Sequence, residues 1–308
     1  MRPSLRARFW RAVLRKAVKE RRLSLSELRL ERGSRSLARL ASLPGVLKGL
    51  RVERLKFAGL RAAWFRPEGA EPSKAVLYLH GGGYVSGSID SYLMLAASMA
   101  RALRRSLLLP EYRLAPEHPF PAALEDALAA WRGLLASGFA PGDLVVAGDS
   151  AGGGLALALV LSLRDAREPL PAAVVCVSPW ADLAASGGSR VAKAAAESLL
   201  SPARLDEWAL RYAGKAGLED PLVSPLRADF RGLPPLLIQV GSDEILLDDS
   251  VGVAEKAGAA GVEARLSVWP GLFHAWPALG ELLPESGLAF AEARDFILSV
   301  EARRAARA

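Results

Sequence analysis

Cysteine occurs once in the 308 residues, as Cys176, so no disulfide can close within the chain. That cysteine sits inside the apolar run Ala172–Val177, where it reads as buried filler rather than a reactive thiol. No apolar run reaches the roughly 18 residues that a membrane span needs. The opening, Met1-Arg-Pro-Ser-Leu-Arg-Ala-Arg-Phe-Trp10, lacks the apolar core and small-residue cleavage site of a signal peptide. These absences point to the cytoplasm. The chain also lacks internal repeats and low-complexity linkers. Nothing in it resembles a groove-reading module, so its net charge of +7 is not read as a nucleic-acid footprint.

What is present is a chain with 51% hydrophobic residues, enough for a substantial core. Its length suits one large α/β domain with a small appendage. Strands are expected near 52–58, 60–65, 75–80, 106–110, 144–148, 172–178, 235–240 and 264–269. Helices are expected near 90–104, 121–137, 150–166, 249–260 and 285–303. Helices between successive central strands imply an α/β class: a mostly parallel sheet of about eight strands, with helices on both faces. The first two strands have no helix between them and can form an antiparallel edge.

Two segments break this alternation. Residues 1–45 read as helical and amphipathic, with Phe9, Trp10, Val13, Leu14 and Ala17 recurring near the helical period. Residues 183–225 carry helical text with Trp208 and Tyr212. Charge is uneven as well. Residues 1–61 hold 18 Lys+Arg against 4 Asp+Glu, a net +14, and the rest hold 22 against 29, a net −7. A basic amphipathic helix can rest on an anionic membrane surface or attract acidic esters. A solvated helix that contacts the acidic body of the chain is the preferred reading.

Chemistry enters at Gly148-Asp149-Ser150-Ala151-Gly152, between the apolar run 144–147 and a run of small and apolar residues. Strand, sharp turn and helix, with serine at the turn, would project a hydroxyl from the carboxyl end of a sheet. Glycines at 148 and 152 let neighbouring backbones pass without a Cβ clash. Upstream, the strand 75–80 ends in His80 and runs into Gly81-Gly82-Gly83-Tyr84. A plain flexible turn has little need of three glycines there. They match the HGGG motif, whose N–H groups complete an oxyanion hole with the N–H after the nucleophile. Gly81, Gly82 and Ala151 are the expected donors.

A serine nucleophile needs a base, and in this kind of site the chain order is serine, acid, histidine. Of His80, His118 and His274, only His274 follows Ser150. It lies on a loop after the strand 264–269 and a Pro270-Gly271 turn. The acid lies just past the strand 235–240, where Asp243 and Glu244 are both candidates. Neighbouring residues on an extended loop point in different directions, so one of the two faces His274. Asp248 and Asp249 suit the first turn of the next helix, where the dipole favours negative charge.

The segments His80–Tyr84, Tyr112-Arg-Leu-Ala-Pro-Glu117, Gly148–Gly152, the acid loop and Gly271-Leu-Phe-His274 together resemble the hormone-sensitive-lipase-like microbial esterases. The resemblance covers about residues 45–300 and implies the α/β-hydrolase fold. It implies hydrolysis of carboxylic esters with short to medium acyl chains, without metal or organic cofactor, acting on a small-molecule ester. It implies a small helical cap from residues 1–45 and 183–225 on a catalytic domain of 46–308, and often a homodimer. The family's acid segment, aligned without gaps, places the acid at Glu244, a departure from the commoner aspartate, with Asp243 as the alternative. The expected triad is Ser150, Glu244 and His274. Tyr112–Pro116 is expected to buttress the site, and Asp149 to support it by hydrogen bonds. Two other activities use the same text: amide or peptide hydrolysis, and a silent small-molecule binder like the plant hormone receptors that resemble this family. Those receptors have lost the histidine that His274 supplies here.

Overall fold

The computed structural model describes residues 2–16 and 45–306. Eight strands form one sheet: β1 (Leu50–Phe57), β2 (Leu60–Pro67), β3 (Glu71–Leu79), β4 (Arg105–Pro110), β5 (Leu144–Asp149), β6 (Ala173–Val177), β7 (Leu236–Gly241) and β8 (Ala264–Trp269). Their order is β1-β2-β4-β3-β5-β6-β7-β8. β1 pairs antiparallel with β2, and β2 with β4; every later pairing is parallel. Each expected strand is therefore present, and the first two form the expected antiparallel edge. Central strands β4 to β7 are buried along their whole length, as strands covered on both faces must be.

The helices are α1 (Leu5–Leu14), α2 (Ile89–Leu103), α3 (Ala122–Ala136), α4 (Ala151–Asp165), α5 (Ser189–Ala192), α6 (Pro202–Ala213), α7 (Leu247–Ala259) and α8 (Pro284–Ala305). Strand residues alternate between the faces. Leu77, Leu79, Val174, Cys176 and Ile238 pack with α3, α4 and α7. Val76, Tyr78, Ala173, Val175 and Leu237 pack with α2 and α8 on the other side. Among the described residues no helix is long and apolar enough to cross a membrane.

α4 needs its glycines. A Cβ on Gly152 would stand 2.0 Å from the Leu79 carbonyl oxygen and 2.5 Å from that of His80. Both obstacles are backbone of the strand that feeds the glycine turn. Gly152→Ala is therefore expected to cost about 2 kcal/mol or more of stability. Urea unfolding would measure this.

The expected apolar face of α1 is corrected. Ala7 is buried against Leu272, Phe273 and Trp276, and Trp10 and Leu14 pack on the same cluster. Phe9 and Val13 point outward, with Phe9 61% exposed. Residues 9 and 13 lie about 100° round the helix from 10 and 14, and only one of these stripes meets the body. Ala17 and the rest of 17–44 lie outside the described residues. The basic helix is tied to acidic partners. Ser4 donates through its N–H to Glu285 Oε1 at 2.7 Å, and Arg11 pairs with Asp243 at 2.6 Å.

Candidate active site

All the parallel strands point their carboxyl ends the same way, so the loops after β3, β5, β6, β7 and β8 gather at one edge of the sheet. Open α/β sheets place their ligands at this edge. Ser150 sits there on the turn from β5 to α4 with φ 54° and ψ −124°, a conformation L-residues seldom adopt. Tyr84, Ser178 and Ala275 also have positive φ at this edge. Strained backbone held at such an edge is consistent with a preorganised site.

A run of hydrogen bonds joins the serine turn to the histidine loop. Ser150 N–H donates to Val177 O at 2.9 Å, and Trp180 N–H donates to Ser150 O at 2.9 Å. The turn between them carries Ser178, whose hydroxyl donates to Glu244 Oε1 at 2.7 Å and accepts from Ala275 N–H at 3.1 Å. Gly241 N–H donates to the same Glu244 oxygen at 2.6 Å. The other oxygen, Oε2, lies 2.8 Å from His274 Nδ1. A carboxylate only accepts, so Nδ1 carries the proton and Nε2 presents its lone pair.

Of the two acid candidates, the structure brings Glu244 to His274. Asp243 faces the other way, toward Arg11 and the Ser242 hydroxyl. Asp248 and Asp249 stand in the first turn of α7 as expected, and both also hold backbone N–H groups of the 181–189 segment. Burial by itself would lower the pKa of His274. The hydrogen bond and charge of Glu244 outweigh it, helped by the charges of Glu197 and Asp149, and the pKa is raised.

One expectation about the oxyanion donors is corrected. Gly81 N–H donates to Asp149 Oδ1 at 3.0 Å, so it does not point at a reacting oxygen. Asp149 also accepts the hydroxyls of Tyr78 and Tyr92, each at 2.8 Å. The carboxylate thus anchors the first glycine of the turn. Ser86 and Val85 N–H groups fold back onto Gly82 O. The N–H groups of Gly82 and Gly83, and that of Ala151 at the first turn of α4, have no acceptor among the hydrogen bonds of the described residues. Helix N-termini leave such groups available.

His80 is support. It is fully buried, its Nδ1 lies 2.8 Å from Gly81 O, and burial lowers its pKa to about 4. Tyr112 stacks on its ring at 4.2 Å and donates its hydroxyl to His80 O at 2.6 Å. Arg113 is held by Asp126 and Glu125, and Ala115 N–H reaches Tyr84 O at 2.9 Å. The segment 112–116 is therefore packed as a buttress behind the glycine turn. From the segment between β6 and β7, α6 lays Trp208 against that turn: a Cβ on Gly83 would stand 2.2 Å from the indole. Among the described residues no group of His, Cys, Asp and Glu is placed to hold a metal ion.

Sequence reasoning did not find Ser178 or Glu197. Ser178 had a signal, since a polar residue directly after a buried parallel strand must lie at the site edge. Glu197 stands in an Ala-rich stretch and had none.

Fold and site together define a serine hydrolase of the α/β type. The chain belongs to the alpha/beta hydrolase fold family, whose model matches residues 76–278, and it resembles the hormone-sensitive-lipase group within it. It is 47% identical over 236 residues to an acetyl-hydrolase of Streptomyces hygroscopicus, covering 77% of this chain and 79% of that one. It is 34% identical over 266 residues to an ethyl acetate hydrolase of Pseudomonas putida, covering 83% of each. Among solved structures, an esterase from the bacterial hormone-sensitive lipase family superposes with a TM-score of 0.89 at 41% identity, covering 96% of this chain and 98% of the other. The protein is a carboxylesterase that cleaves small-molecule esters by a serine mechanism.

Proposed function

We propose that Ser150, His274 and Glu244 carry the reaction, with the N–H groups of Gly82, Gly83 and Ala151 as the oxyanion hole, and that the substrates are esters of short acyl chains. The observation that carries this reading is the Glu244–His274 Nδ1 contact at 2.8 Å, which leaves Nε2 unprotonated and able to act as the base. His274 Nε2 takes the Ser150 proton as Oγ bonds to the ester carbonyl carbon. The carbonyl electron pair moves to oxygen and is held by the three N–H groups, each worth about 10²–10³ in kcat. Collapse expels the alcohol, which takes its proton from His274, and leaves an acyl-serine. Water, deprotonated by His274, then releases the carboxylic acid and restores Ser150. Glu244 holds the imidazole in one tautomer and stabilises it when charged.

The acyl preference is supported by Trp208 against Gly83, beside the stacked pair Tyr84–Tyr212 at 3.5 Å. These rings fill space next to the glycine turn. The name of the Streptomyces relative agrees with a short acyl group. The same packing supports reading 183–225 as part of a cap on the catalytic domain 46–308, and the packing of α1 on Leu272 and Phe273 beside His274 supports counting the described part of 1–45 with it. The ties of α1 to Glu285 and Asp243 favour a helix docked on the body over one resting on a membrane. The single buried Cys176 fits a cytoplasmic location, and a homodimer is carried by the family resemblance.

A fluorophosphonate probe tests the reading. It is expected to add once, on the peptide that holds Ser150, and to abolish turnover of p-nitrophenyl esters from acetyl to octanoyl, with the fastest turnover before inhibition at acetyl to butanoyl. Labelling elsewhere, or an unlabelled active protein, would overturn it.

A further inference from the structure

We propose that Glu197 is a positioning residue for the acid–histidine pair: from the 183–225 insertion it fixes the backbone of the acid loop beside Glu244 and sets a second buried negative charge facing His274. The proposal rests on the reading of Glu244 and His274 above.

Glu197 is fully buried, just past the turn that follows α5. Its Oε1 accepts the N–H groups of Ser198 at 2.7 Å and Leu199 at 2.8 Å, which fixes the carboxylate to its own turn. Its Oε2 crosses to the acid loop and accepts Ile245 N–H at 3.2 Å. Ile245 is the residue after Glu244. The carbonyl of Ile245 is held from the insertion too, accepting from the Ser189 hydroxyl at 3.0 Å. On the other side of Glu244, Asp243 pairs with Arg11, which also donates to Ala196 O at 3.3 Å. Both neighbours of Glu244 are therefore anchored to elements outside the sheet, and Glu197 supplies the buried anchor.

Burying a carboxylate near another carboxylate is costly unless a compensating charge is at hand. The charge of Glu197 acts on both Glu244 and His274. When His274 is neutral, the two carboxylates repel. When His274 takes the serine proton, both face an imidazolium and the repulsion is offset. The arrangement thus favours the charged state that forms during reaction over the resting state. A merely structural polar residue at 197 would not need to carry charge.

The charged groups around His274 are Glu244 from the acid loop, Glu197 from the insertion and Asp149 from the end of β5. Around Glu197 they are Glu244, His274 and, through Ala196, the Arg11–Asp243 pair. Removing the Glu197 charge lowers the His274 pKa, so the neutral, basic form persists to lower pH.

In Glu197→Gln, kcat for p-nitrophenyl acetate is expected to fall about tenfold, with KM within about threefold of the parent. The acidic limb of the kcat/KM profile should move to lower pH. The chain has three histidines, so ¹⁵N-histidine NMR can follow His274 directly, and its titration should move the same way. A folded Glu197→Gln protein with unchanged kcat, or with an unmoved limb, overturns the proposal. If that variant does not fold, Glu197→Asp carries the test. It keeps the charge but cannot span both anchors, so kcat should fall about tenfold while the limb stays near the parent position. Unchanged kcat in Glu197→Asp, or failure of both variants to fold, makes the residue structural and ends the proposal. Full activity in His274→Asn would instead mean that the underlying triad reading is wrong.

Discussion

Ser150→Ala is expected to lower kcat for p-nitrophenyl acetate by about 10⁵- to 10⁶-fold, with a folded protein and a KM within a few-fold of the parent. The size follows from what the alcohol does. Without Oγ no acyl-enzyme can form, and His274 has no proton to take at the reacting carbon. The donors of Gly82, Gly83 and Ala151 remain, so a residual rate above that of water should persist. Alanine keeps the Cβ at the strained φ of 54°, and the backbone bonds of residue 150 to Val177 and Trp180 do not involve the hydroxyl. The circular-dichroism spectrum and melting temperature should therefore stay close to the parent. A variant that keeps its fold and more than a tenth of the parent activity would remove Ser150 from the mechanism.

The same turn explains how far the sequence could be read. Buried parallel strands announce themselves as apolar runs such as Leu236-Leu-Ile, and in a parallel sheet their ends must gather at one edge. The strand-end motifs at His80, Ser150, Glu244 and His274 therefore arrive together without knowledge of any contact. Contacts that cross between non-local loops leave no such pattern. Gly81 was expected to be an oxyanion donor because glycine runs free N–H groups. Which N–H is free was decided by the Asp149 carboxylate, held between Tyr78 and Tyr92, and neither tyrosine's reach is encoded in spacing. The choice between Asp243 and Glu244 was likewise open on the residues alone. Arg11, more than 230 positions upstream, draws Asp243 away. On α1, helical period identified an apolar arc but not which of its two stripes would meet the body. Glu197 has no motif at all; only the packing of the segment between β6 and β7 against the acid loop reveals it.

Glu244→Gln and Asp243→Asn should differ by orders of magnitude, and the physics of the amide says why. Each oxygen of Glu244 accepts: Oε1 from Ser178 and Gly241, Oε2 from His274. A glutamine amide has only one oxygen. If its oxygen stays toward Gly241, its NH₂ faces His274 Nδ1. The imidazole must then accept there and carry its proton on Nε2, the tautomer that cannot take a proton from Ser150. If the amide turns over, its NH₂ meets the Gly241 N–H, an unmatched donor pair in a fully buried position. Both orientations also lose the charge that stabilises the imidazolium. Glu244→Gln is expected to cost about 10⁴-fold in kcat, the scale of a wrong-tautomer loss. Asp243 touches neither the imidazole nor its carboxylate partner. Its pair with Arg11 is partly exposed, with side chains 31% and 22% accessible. A pair of that kind contributes about 1 kcal/mol or less, so Asp243→Asn should stay within about fivefold of the parent. Steady-state kinetics on p-nitrophenyl acetate with both variants at one pH separates the two. A larger loss in Asp243→Asn would move the acid by one residue and require the loop to place Asp243 on His274.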